Sequence, residues 1–132
     1  MRKEFAPLLP RDKHDVDTAS ALVAAGWEPL IPFIPQMLEW MQDMNWPVAQ
    51  VFQPFLVASG ADLAPFVKAV LLGEDDVSKH SDLVYIVAHS PELAFALRDG
   101  LDRLSNNPSA GEVLQEVSLQ AQAILSISSS RQ

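Results

Sequence analysis

The string Leu30-Ile31-Pro32-Phe33-Ile34 returns as Leu63-Ala64-Pro65-Phe66-Val67, a shift of 33 residues. The same shift carries Leu38 onto Leu71, Asp43 onto Asp76, Val51 onto Val84 and Phe52 onto Tyr85. A chance match of five residues would not hold through an acidic turn into the following segment. A fixed offset that aligns helix, turn and helix marks a helical repeat, whose units cannot bury their apolar faces alone and stack to share a core.

Apolar periodicity then places the helices. Asp15 is a good N-cap for a first helix carrying Val16, Ala19, Leu22 and Val23, with Gly26 at its end. From Trp27 to Gln42, Leu30, Ile34, Met37, Leu38 and Met41 recur at three and four, although prolines at 29, 32 and 35 imply an overwound or kinked opening. Asn45 is expected to cap a third helix through Val48, Val51, Phe52, Phe55 and Leu56 to Gly60, bent at Pro54. Asp62 is expected to cap a fourth, with Leu63, Phe66, Val67, Val70 and Leu71, ending at Gly73. A fifth spans about Val77 to His89. Ser90-Pro91 opens a sixth, with Leu93, Leu97, Leu101 and Leu104 on one side. Ser109 to Glu112 is a capping box for a seventh, in which Val113, Val117, Ala121, Ile124 and Leu125 share a face.

No run alternates like a strand bounded by turns, so the expected fold is all-α: a right-handed stack of helical hairpins, about seven helices in all. Residues 1–10, with Pro7 and Pro10, read as an extended arm; 11–126 form one domain; 127–132 read as a flexible tail. The hairpins resemble HEAT-type repeats, which also place a proline in the first helix and an Asp in the turn. The unit is shorter here, and the third copy lacks the proline.

Composition narrows function. The chain has 132 residues, enough for one core, and no cysteine, which removes thiol nucleophiles, disulfides and Cys-containing zinc sites. That fits a reducing cytoplasm, and a cytoplasmic location is expected. No apolar run approaches the ~18 residues of a membrane span, and the N-terminus lacks an apolar export core. The net charge is -8, and no Lys or Arg occurs from His14 to Val67. Nucleic-acid affinity needs clustered Lys and Arg, so neither nucleic acid nor membrane is expected as a partner.

Two motifs, Leu9-Pro10-Arg11-Asp12-Lys13-His14-Asp15 and Glu39-Trp40-Met41-Gln42-Asp43-Met44-Asn45-Trp46-Pro47-Val48-Ala49, make the chain similar to a family of small bacterial domains of unknown function, themselves similar to HEAT repeats. The resemblance covers roughly residues 8 to 126. It implies an aromatic residue where this chain has Lys79, and it implies no activity.

The chemistry-bearing residues are few. Asp12, His14 and Asp15 could hold a metal or do acid–base work, or Asp12 and Asp15 could compete for the helix cap while Lys13 and His14 sit on the surface. His80 and His89 are nine apart, on opposite sides of a continuous helix. Gln42, Asp43 and Asn45 lie between Trp40 and Trp46, which suits either a recognition surface or a staple between helices. No phosphate loop, nucleophile elbow or zinc-protease motif is present.

The expected function is therefore a non-enzymatic protein-interaction module, with a binding surface of Asp12, Lys13, His14, Asp15, Trp40, Gln42, Asp43 and Trp46, taking a protein partner as a monomer or weak homodimer. No cofactor or metal is expected. The alternative is a small-molecule or metal-dependent enzyme using Asp12, His14 and Asp15, with Asp43 across a groove.

Overall fold

A computed structural model describes residues 9–130, and among them there is no strand. The chain is all-α. Its α-helices are α1 (Val16–Ala24), α2 (Trp27–Leu30), α3 (Ile34–Glu39), α4 (Pro47–Ala58), α5 (Ala64–Leu72), α6 (Asp76–Tyr85), α7 (Pro91–Ala96), α8 (Arg98–Asn106), α9 (Ala110–Leu114) and α10 (Val117–Ser130). Four 3₁₀ turns, Ile31–Phe33, Trp40–Gln42, Gly60–Leu63 and Val87–His89, extend or join them. The helical regions match the expected seven, but several are broken within.

The breaks have local causes. Between Trp27 and Gln42, prolines remove donors from the ladder, and the chain alternates α and 3₁₀ geometry. The seventh region splits because Glu116 takes a left-handed φ of 62°, which rotates α10 relative to α9. Val117, Ala121 and Ile124 are consequently buried, whereas Val113, expected on the same face, is exposed. Gly60, at φ 58°, ends α4 where a side chain would be strained, and the chain bends by 115° between Pro47–Ala58 and Gly60–Leu72.

Several caps are as expected. Asp15 accepts from the Thr18 amide, Ser90 from the Leu93 amide, and Ser109 and Glu112 form a reciprocal capping box. Two are not. Asn45 does not cap α4: its amide donates to Asp43 Oδ1 in a tight turn, and Trp46 holds the cap position ahead of Pro47. Asp62 lies inside the Gly60–Leu63 turn, and α5 starts after Leu63 with Pro65 in its first turn, where one donor is already missing.

The repeat is visible in burial. Leu30, Ile34 and Leu38 are buried in the first copy, and Leu63, Val67 and Leu71 in the second. Core side chains from every helical region join one cluster, from Ala19 and Leu22 to Ala121 and Ile124. In it α1 packs on α4, α6 on the Trp40–Gln42 turn and on α5, and α10 on α6, α7 and α8. Of the expected arm, residues 1–8 lie outside the described residues; Leu9 packs against the core and Pro10 is buried. Of the expected tail, 127–130 are helical and 131–132 lie outside the described residues. No single helix among the described residues is long and apolar enough to cross a membrane.

Candidate functional site

A cleft of about 490 Å³ opens between α3 and α5. Pro35, Leu38 and Glu39 of α3 line one wall, with Gln42 beyond them; Pro65, Phe66, Ala69 and Val70 of α5 line the other. Gly73, Glu74 and Asp75 from the α5–α6 turn close one end, and Ser78 and Asp82 reach in from α6. The repeat explains the walls. In the second copy Leu63, Val67 and Leu71 go to the core and the half-buried Phe66 and Val70 face the gap, while in the first copy the core residue Leu38 also borders it.

Asp82 is the unusual residue. It is 1% exposed, and its Oδ2 is buried with no hydrogen-bond partner among the described residues. Burial, aided by the nearby Asp75 carboxylate, pushes its carboxyl up to about 8, so it carries a proton at neutral pH. Asp75 is held the opposite way, below the usual carboxylate range, because the Ser78 amide and hydroxyl both donate to it. Two bonds fix α6 at this place: Ser81 Oγ donates to the Gln42 carbonyl at 3.3 Å, and Gln53 Nε2 to the Tyr85 carbonyl at 2.7 Å.

One turn before Asp82, on the same buried face of α6, Lys79 anchors an ionic cluster. Lys79 Nζ lies 2.7 Å from Glu112 Oε2 and 2.8 Å from Asp76 Oδ1, and the Arg103 guanidinium grips both Glu112 oxygens at 2.8 and 2.9 Å. Arg103 above all, helped by Lys79 and the Ser109 amide, holds Glu112 down to about 2. Burial alone would lower the Lys79 ammonium, but Asp76 and Glu112 outweigh it and raise it. Each Glu112 oxygen takes two donors, and these bonds fix α6 against α8 and α9, which is structural work.

The residues singled out from sequence fall elsewhere. Asp15 is buried, takes the Arg11 amide and guanidinium at 3.0 and 3.1 Å, and is lowered to about 2, chiefly by that amide. Asp12 Oδ1 receives the His14 amide, and Lys13 and His14 are exposed. The Lys13 carbonyl accepts from the Val48 amide, which ties this segment to the start of α4. Trp40 and Trp46 meet edge to face at 5.8 Å, half-buried against the core, as a staple would. Trp27 packs on Phe55 and Phe66. Of the eight residues proposed as a surface, Gln42 alone lines the cleft. Among the described residues no three His, Asp or Glu side chains come together to hold a metal ion.

Asp82 escaped notice, yet two signals pointed to it. Lys79, Asp82, Leu83 and Ile86 fall at i, i+3, i+4 and i+7, one buried face with two charges on it. The 33-residue shift also sets Ser81 and Asp82 on Val48 and Ala49, both fully buried, and Lys79 on Trp46. A carboxyl group thus stands where the first copy has a buried alanine.

Among the curated proteins, none matches the chain. A family model described as Domain of unknown function (DUF5071) matches residues 8–125, and the chain belongs to that family.

Proposed function

We propose that this family member is a non-enzymatic protein-interaction module that docks a basic, amphipathic segment of a protein partner in the cleft between α3 and α5. The observation that carries the reading is the cleft itself: apolar walls of Leu38, Phe66 and Val70 beneath a rim of Glu39, Glu74 and Asp75, with no Lys or Arg among its lining residues. Such walls favour an apolar stripe, and such a rim draws cations and repels acidic competitors. The same reading takes the hairpins as a HEAT-like stack in a cytoplasmic bacterial protein, monomeric or weakly dimeric, with no nucleic acid or membrane among its partners.

The enzyme reading has less support. Asp15 is committed to Arg11 and Thr18, and Asp12 to the His14 amide, which leaves no paired carboxylates poised around His14.

The test is fluorescence anisotropy with a labelled helical peptide alternating Lys and Leu faces, against the wild type and the Glu39→Lys/Glu74→Lys double variant. Both altered residues are exposed, so the fold should survive, as circular dichroism would verify. Expected is binding that weakens with salt and falls about tenfold or more in the variant. Equal binding by both proteins would remove the proposal.

A further inference from the structure

We infer that the cleft seats one cationic head, a primary ammonium or guanidinium on an apolar stem, and that the Asp82 carboxylate at its floor receives it. The inference rests on the docking reading and names the chemistry that the cleft selects.

Three observations converge. First, Asp82 is almost wholly buried with an Oδ2 that has no partner among the described residues, and a buried acceptor left unpaired is costly enough that few are retained without use. Second, the walls above it are aliphatic and aromatic, so a methylene stem loses water there while its charged end reaches the floor. Third, the other charged groups at the cleft, Glu39 from α3 and Glu74 and Asp75 from the turn, are all acidic. The elements that also pack on α6 add nothing of opposite sign there. The Trp40–Gln42 turn and α10 carry no charged residue, and neither Lys68 of α5 nor His89 lines the cleft. An anion would meet four carboxyl groups; a neutral apolar ligand would leave Asp82 unsatisfied. The Lys79 ammonium, three residues away, is paired with Asp76 and Glu112.

The proton balance follows. In the free protein Asp82 is protonated at neutral pH. An arriving ammonium stabilises the ionised form, so the carboxyl proton passes to solvent and an ion pair replaces the neutral acid. Binding should release up to one proton and tighten as pH rises through neutrality, until the amine itself loses its charge.

The same head could come from a lysine of a partner protein or from a free amine. Three probes separate these: n-butylammonium, a short peptide with one lysine flanked by leucines, and that peptide acetylated at the lysine. The carboxyl carbon resonance of Asp82 is followed by NMR in the intact chain, and calorimetry in two buffers of different ionisation heat counts protons. Expected are a shift of that resonance and proton release with the ammonium probes, neither with the acetylated peptide, and about tenfold weaker binding without proton release in Asp82→Asn. Tighter binding of the peptide than of butylammonium assigns the head to a protein partner; equal binding assigns it to a free amine. An unmoved Asp82 resonance in the wild type overturns the inference, as does an Asp82→Asn variant that binds both probes like wild type. Peptide binding lost in Glu39→Lys/Glu74→Lys but kept in Asp82→Asn overturns the seat and leaves the docking reading standing.

Discussion

Of the carboxyl groups displaced in this molecule, Asp82 is raised and Glu112 lowered, and each leaves its own signature on stability. Asp82 is raised to about 8, whereas in the unfolded chain it ionises in the ordinary acid range. The unfolded state thus sheds this proton first, and stability falls as pH rises from that range until about 8, where both states are ionised. Glu112 is lowered to about 2 by the Arg103 guanidinium, so its contribution is present at neutral pH and is lost as pH falls through the acid range. Asp82→Asn should remove the first slope and keep the second. In urea titrations at about pH 5 and about pH 9, wild type should lose ~2 kcal/mol or more of stability beyond what the variant loses. Parallel losses in the two proteins would show that Asp82 ionises normally.

At the level of elements, α9 is five residues long, far too short to persist alone, and it is held by Glu112. That one side chain closes the capping box with Ser109, takes Arg103 from α8 and takes Lys79 from α6. Glu112→Gln keeps the shape but leaves two cations under-compensated, one of them buried, and should cost about 3 kcal/mol in a chemical denaturation measurement. A loss below about 0.5 kcal/mol, the usual scatter of surface changes, would show that the cluster is not needed.

The legibility of these elements followed the same division. Stripes such as Leu93, Leu97, Leu101 and Leu104 were readable because burial at three and four leaves a pattern in the chain. Asn45 and Asp62 misled because short polar residues suit caps and turns alike: Asn45 sits in a turn closed by Asp43, and Asp62 inside a 3₁₀ turn. The cleft was hidden because it forms between elements far apart in sequence. Its wall residues Leu38, Phe66 and Val70 share the apolar period of the core stripes, so period alone does not separate them from the core.

At the scale of the whole molecule, the core is a single cluster drawn from every helical region, and most of the α-helices are shorter than 12 residues. Neither half has a closed core of its own: α6 packs on the Trp40–Gln42 turn, and α10 packs back on α6. Helix content and tryptophan fluorescence should therefore be lost in one coincident urea transition, although all three tryptophans, Trp27, Trp40 and Trp46, lie in the N-terminal half. A fluorescence midpoint separated from that of the ellipticity would mean that the hairpins unfold independently.

The placement of α10 bears on how the chain is made. It covers α6, α7 and α8, yet it is the last of these helices to leave the ribosome. Until Val117–Ser130 has emerged, the leucine row of α7 and α8 stands open in the nascent chain. A stop codon just before Val117 would spare the whole cleft and still yield a protein for chaperones and proteases to clear.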